Sequence, residues 1–181
     1  MKTLGQITLL FYLLISSSCS FLGKPIQITY LIPDGYVGDV IIVYSQTDGI
    51  IPEKEGKAYI FRIPEDGILK VRIPYEKGSH KFDFFFVDDN GTRTELEYVY
   101  PRGWVRNPGD NTTKSQDSIT ENEKNNQIFA MNNTNTNFRI KEKVIYVNSF
   151  IIGKPKDSNI AYNEMQDRIT EIQKTLLKTT N

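Results

Sequence analysis

Lys81-Phe82-Asp83-Phe84-Phe85-Phe86-Val87-Asp88-Asp89-Asn90-Gly91-Thr92-Arg93-Thr94-Glu95-Leu96-Glu97-Tyr98-Val99-Tyr100 consists of two alternating runs around a turn signal. Phe82, Phe84 and Phe86 share one face of the first run, and Leu96, Tyr98 and Tyr100 share one face of the second. A two-residue Asn-Gly loop would set Phe84 against Glu97. A three-residue loop ending at Gly91 sets it against Leu96, and Phe82 against Tyr98, which keeps the apolar faces together. The segment is therefore expected to be a hairpin with Gly91 left-handed, at the end of a type I turn with a bulge. Phe85 and Val87 point the other way, so both faces are candidates for cover.

Working outward, residues 26–32, 40–45, 58–63, 68–74, 81–88 and 92–100 form short apolar or alternating runs, each closed by Pro, Gly, Asp or Asn. Four Ile-Pro pairs, at Pro33, Pro52, Pro64 and Pro74, mostly sit where a run ends, because proline cannot donate to a ladder and presets a turn corner. The chain carries ten Tyr and ten Phe, which suit half-buried pleated surfaces. The expected fold is mainly β: an antiparallel β-sandwich, immunoglobulin-like or transthyretin-like, spanning residues 26–106.

Residues 107–137 are dense in Asn, Thr, Ser, Asp and Glu, with Ile119, Ile128, Phe129, Ala130 and Met131 as the apolar exceptions. So little apolar surface predicts a disordered polar insertion. Strand-like sequence returns at 138–153, as one or more further strands of the domain. Residues 158–178 carry Met165, Ile169, Ile172 and Leu176 at spacings of four, three and four, which predicts an amphipathic helix packed on the sandwich or engaging a partner.

The N-terminus follows the order of a secretion signal: Lys2, an apolar run over 7–15, then Ser16, Ser17 and Ser18 before Cys19. The run is about half the ~20 residues of a membrane-spanning helix. Cys19 is the one cysteine in the chain, so no internal disulfide can form, and an exported lone thiol calls for another use. Leu14-Ile15-Ser16-Ser17-Ser18-Cys19 resembles the lipobox of bacterial lipoproteins, though Ser16 stands where that pattern usually has Leu. The resemblance implies a signal peptide over 1–18, lipidation (palmitate) at Cys19 and a tether over 19–25. It places the chain in the cell envelope, on the outer membrane or cell surface, with the membrane as its first partner. The alternative is an ordinary secretory cut that leaves a free thiol.

Ile28-Thr29-Tyr30-Leu31-Ile32-Pro33-Asp34-Gly35-Tyr36-Val37-Gly38 and Tyr59-Ile60-Phe61-Arg62-Ile63-Pro64-Glu65-Asp66-Gly67-Ile68-Leu69 resemble two recurrent stretches of an uncharacterised β domain found in bacterial lipoproteins. That resemblance brings no activity and no site residues. A looser likeness, of fold alone, is to transthyretin-like accessory domains.

Lys plus Arg and Asp plus Glu are both 22, so no summed charge draws nucleic acid. His80, the one histidine, sits in a turn sequence; no Gly-x-Ser-x-Gly elbow occurs; and ligands for structural zinc are too few. No catalytic, cofactor or metal residue is assigned. Asp88-Asp89-Asn90-Gly91 crowds oxygen ligands but lacks the spacing of a calcium loop. Glu95 and Glu97, with Asp83, are the carboxylates an envelope hydrolase or carbohydrate-active protein would use. Arg102, Trp104 and Arg106 form a candidate patch for an envelope protein or glycan partner. The leading expectation is a non-enzymatic, membrane-anchored binding or scaffolding lipoprotein; a passive structural surface protein is a third reading.

Overall fold

The computed structural model describes residues 25–100 and 113–179. Eleven strands named below build two facing sheets: β1 (Ile26–Pro33), β2 (Gly38–Val43), β3 (Glu53–Glu55), β4 (Ala58–Arg62), β5 (Ile68–Lys70), β6 (His80–Val87), β7 (Arg93–Glu95), β8 (Tyr98–Tyr100), β9 (Thr113–Ser115), β10 (Phe129–Ile140) and β11 (Lys143–Gly153). The first sheet has the order β3-β4-β1-β6-β7 and the second β5-β2-β11-β10-β8-β9. Two helices complete the fold, the short α1 (Glu121–Asn126) and the 22-residue α2 (Ser158–Thr179). The chain is mainly β, a sandwich with one long C-terminal helix, as the sequence indicated.

Phe84, Phe61, Tyr30 and Phe150 meet between the sheets, with Ile28, Ile32, Val40 and Ile42 around them. A second core lies on the far face of the second sheet, where Met165 and Ile169 of α2 cover Ile41, Val43, Val147 and Ile151. The second sheet is thus buried on both faces, which explains why β11 reads as a nearly continuous apolar run.

The predicted hairpin is present. Phe85 pairs with Glu95 and Val87 with Arg93; Leu96 N-H donates to the Phe84 carbonyl at 2.9 Å; and Gly91 has φ +82°. Asp88 Oδ1 accepts the Asn90 and Thr92 amides, which closes the turn. The pairing stops there. The 92–100 run is two strands, because after Leu96 the chain leaves the first sheet and β8 joins β10 in the second. The Phe82–Tyr98 pair expected from the hairpin therefore does not form as a strand pair.

Two further expectations are corrected. The sheets are mixed rather than antiparallel: β1 runs parallel to both β4 and β6, and β2 to β5. Alternation along a strand marks its faces but carries no sign of its neighbour's direction.

Within the expected disordered insertion, residues 113–137 are ordered. Phe129 and Ala130 are fully buried, and β10 pairs along its length with β11. A count of the segment's own apolar residues misses a backbone ladder supplied by a distant strand. Residues 138–153 form the end of β10, the tip and the whole of β11, strands of the second sheet. The tip, Lys141-Glu142, contains no turn-forming residue, and Lys141 alone takes φ +51° there.

The first sheet is strongly coiled. Arg93 on one outer strand makes a bidentate pair with Glu55 on the other, at 2.6 and 2.8 Å, so the sheet's diagonal corners meet. This curl accounts for the burial of Leu31 and Ile60 on the sheet's outer face.

At α1, Thr120 and Glu123 form a capping box, and Lys114 Nζ reaches Glu123 at 2.6 Å. The Lys114 ammonium, followed by the Thr120 donors, holds the Glu123 carboxyl at about 2 against an ordinary 4.5. The folded value is the lower one, so the cap is intact above pH 4.5 and weakens as pH falls through 2. Protection of the Glu123 and Lys124 amides, taken relative to the exchange of an unstructured chain, is expected to fall over that acid window in the wild type and to begin falling at higher pH in Lys114→Ala.

Candidate functional site: a groove between the helix and the sheet edge

The two motif stretches converge on α2. Tyr36 donates its hydroxyl to the Asp39 carbonyl at 2.6 Å. Gly67 lies so close beneath that a Cβ on it would stand 2.2 Å from Tyr36 Oη and 2.4 Å from that same carbonyl. Arg168, one turn along α2 from the core contacts of Met165, donates to Asp39 Oδ1 at 2.7 Å and to the Asp66 carbonyl at 2.6 Å. Asp39 is 8% exposed, and its second oxygen, Oδ2, is buried without a hydrogen-bond partner among the described residues. The recurrent sequences thus serve as a joint: Pro33-Asp34-Gly35-Tyr36 and Pro64-Glu65-Asp66-Gly67 lock against each other and fix the helix by one guanidinium.

Beyond that joint the helix and the sheet part. Met165 and Ile169 are buried on the sheet, whereas Ile172 and Leu176 are half-buried and form one wall of a groove of about 790 Å³. The opposite wall is β5, the edge strand of the second sheet, with Ile63 and Pro64 at the end of β4 and Ile50 in the adjoining loop. The floor is apolar and the rim charged: Asp48 is paired with Lys70 at 2.7 Å, Glu171 with Lys174 at 2.7 Å, and Arg62 and Arg168 stand nearby. Volume and lining fall within the usual range of ligand sites. β1 climbs from Ile26, where the N-terminal segment enters, to Pro33, about 25 Å at the usual strand rise. The joint lies at that far end, so the groove starts away from the chain's point of entry.

The carboxylates named from the sequence do not assemble. Glu95 is exposed on β7, whereas Glu97 lies beyond the crossing, 3.2 Å from Lys114 and bonded to Gln127. Asp83 pairs with Lys81 at 3.4 Å on the first sheet. His80 is stacked between Tyr75 and Phe82, with Nδ1 3.0 Å from the Gly78 carbonyl. Asp88-Asp89-Asn90-Gly91 is the hairpin turn itself. Cys19, Arg102, Trp104 and Arg106 lie outside the described residues. No cluster of three or more His, Cys, Asp or Glu suited to a metal ion occurs among the described residues, and no helix among them is long and apolar enough to cross a membrane. The groove was not foreseen; the signal that points to it is the second half of the helical stripe, Ile172 and Leu176, which the second core covers only in part.

The chain belongs to a family of unknown function (DUF6843), which matches residues 26–128. That span takes in both motif stretches and stops short of the β10–β11 hairpin and α2. Among solved structures, a candidate lipoprotein from Bacillus anthracis has the same fold, with a TM-score of 0.54 at 15% identity over 83% of this chain and 96% of that one. No curated protein matches.

Proposed function

We propose that the chain is a lipid-anchored protein of the bacterial cell envelope that binds, without chemical conversion, an apolar segment of a partner protein in the groove beside α2. The anchor rests on the signal-like N-terminus and the lipobox-like run ending at Cys19. The naming of the Bacillus anthracis protein as a lipoprotein and the two Ile-Pro-centred stretches point the same way. The transthyretin-like architecture belongs to this proposal as an analogy of sandwich folds, several of which serve as exported accessory modules.

The observation that carries the binding role is the groove itself, apolar within and charged at the rim. Its rim acids Asp48 and Glu171 are engaged by lysines, which favours holding a ligand over proton transfer.

Two measurements test the proposal. Metabolic labelling with a fatty-acid analogue is expected to mark wild type and not Cys19→Ala; an unlabelled wild type removes the anchor. Random peptides displayed on phage and panned on the exported chain carrying Cys19→Ser are expected to yield apolar-centred binders. Those binders should lose at least tenfold in affinity to Thr175→Trp, which fills the groove from an exposed helical position. A pool with no preference for wild type over Thr175→Trp rejects the groove as the site.

A further inference from the structure

The wall opposite the helix is a sheet edge, and its backbone shows which groups are spoken for. Ile41 N-H donates to the Gly67 carbonyl and Val71 N-H to the Val43 carbonyl, so residues 67, 69 and 71 face β2. Strand groups alternate in direction, so residues 68, 70 and 72 face outward. Along that outward row, Ile68 N-H is taken by Asp66 Oδ1 at 2.9 Å. The Lys70 carbonyl accepts from Ile50 at 2.9 Å, and Arg72 N-H donates to the Ile50 carbonyl at 2.8 Å. Ile50 is therefore a one-residue parallel neighbour of the edge. One pair in this row, the Ile68 carbonyl and the Lys70 N-H, has no partner among the described residues, and it opens into the groove beneath Ile172 and Leu176.

We infer that the groove's ligand is an extended peptide that adds to this edge, running parallel to β5. This rests on the groove reading above and names the form its partner takes. A carbonyl at position j−1 and an N-H at j+1 are the set that a single residue of a parallel strand satisfies with its own N-H and C=O. An antiparallel partner would need two residues to reach the same pair, and the second backbone group of each would face the Ile68 N-H or the Lys70 carbonyl, both already engaged. The incoming residue sits beside Leu69, two places before Ile50 in the same lane, so the ligand enters from the Pro64–Asp66 end and must turn away directly after that residue, because Gly49 already lies against the Lys70 backbone. An edge strand and a flanking helix with an apolar wall form the general slot for strand addition: the backbone supplies register, and one side chain supplies specificity by entering the apolar floor. A fatty acyl chain would fit the floor and leave both backbone groups unpaired.

The test uses the exported chain carrying Cys19→Ser, peptides selected by panning on it, and myristate as the competing apolar ligand. Lys70→Pro removes the outward N-H without touching the ladder to β2, at a position where an edge strand tolerates proline. Lys70→Ala removes the ion pair with Asp48 and keeps the N-H. Strand addition predicts that peptide affinity stays within about threefold in Lys70→Ala and falls about tenfold in Lys70→Pro. On the unaltered Lys70 background, N-methylation of one peptide amide is expected to give the same loss, while methylation of its neighbours does not; this arm holds even if the proline variant folds poorly. Equal peptide binding by all three chains, or myristate binding that ignores Lys70→Pro while peptides fail, overturns strand addition and leaves the groove as a site. Failure of every peptide and of myristate to bind overturns both.

Discussion

Gly67→Ala is expected to cost about 3 kcal/mol or more of folding stability, whereas Gly56→Ala, at a residue with the same left-handed backbone, costs about 1 kcal/mol. Gly56 has φ +61° and open space around it, so alanine there meets only the intrinsic penalty of a left-handed L-residue. Gly67 has φ +75°, and its added methyl would stand 2.4 Å from the Asp39 carbonyl oxygen and 2.2 Å from Tyr36 Oη. A tyrosine ring can swing away; the carbonyl cannot, because Asp39 is held in β2 opposite Ile151. Relief would pull the joint apart and loosen the Arg168 contacts that seat α2. Urea unfolding of the two variants measures the difference. Equal losses would show that the contact between the two motif stretches does not constrain the fold.

What was legible in the sequence was local, and the joint shows where legibility ended. The face pairing of Phe84 with Leu96 and the left-handed Gly91 follow from period-two alternation and turn chemistry, both of which act within a dozen residues. The proline and glycine of Pro64-Glu65-Asp66-Gly67 read correctly as a turn. That this turn docks under Tyr36 and is clasped by Arg168, 129 residues from Asp39, is a tertiary fact with no local trace.

The crossing after Leu96 was hidden for a related reason: Leu96 and Tyr98 keep the same alternation while changing sheets. In β10, asparagines look like disorder until β11 is placed beside them. The groove depends on where a helix stops touching a sheet, which the stripe Met165-Ile169-Ile172-Leu176 does not mark. The stripe continues at the same spacing, but its burial falls from complete at Met165 to partial at Ile172 and Leu176.

Asn148→Leu is expected to cost about 4 kcal/mol, and Tyr30→Phe added to it is expected to restore part of the loss rather than deepen it. Asn148 is 1% exposed in the middle of an apolar strand. Its Oδ1 accepts from Tyr30 Oη at 2.7 Å; its Nδ2 donates to Asn133 Oδ1 at 2.6 Å and is 3.1 Å from both the Thr134 carbonyl and Asn135 Oδ1. One amide thus serves β1 across the sandwich and, along β10, the irregularity between Met131 and Thr134, where Asn132 takes φ +53°. Burial pushes the Tyr30 hydroxyl well above its usual pKa, so it remains a neutral donor that must find an acceptor. Leucine leaves that buried hydroxyl and the Thr134 carbonyl unpaired, at about 1–3 kcal/mol each. Tyr30→Phe alone orphans only Asn148 Oδ1 and should cost about 1.5 kcal/mol. In the double variant the stranded hydroxyl is gone, so the pair should be more stable than Asn148→Leu, by about 1 kcal/mol. Thermal unfolding of the four chains decides the sign, and simple addition of the two single losses would mean that the hydroxyl and the amide are not coupled. Amide exchange should place the damage at residues 132–137, since the amide that ties this polar strand to the core is the one removed.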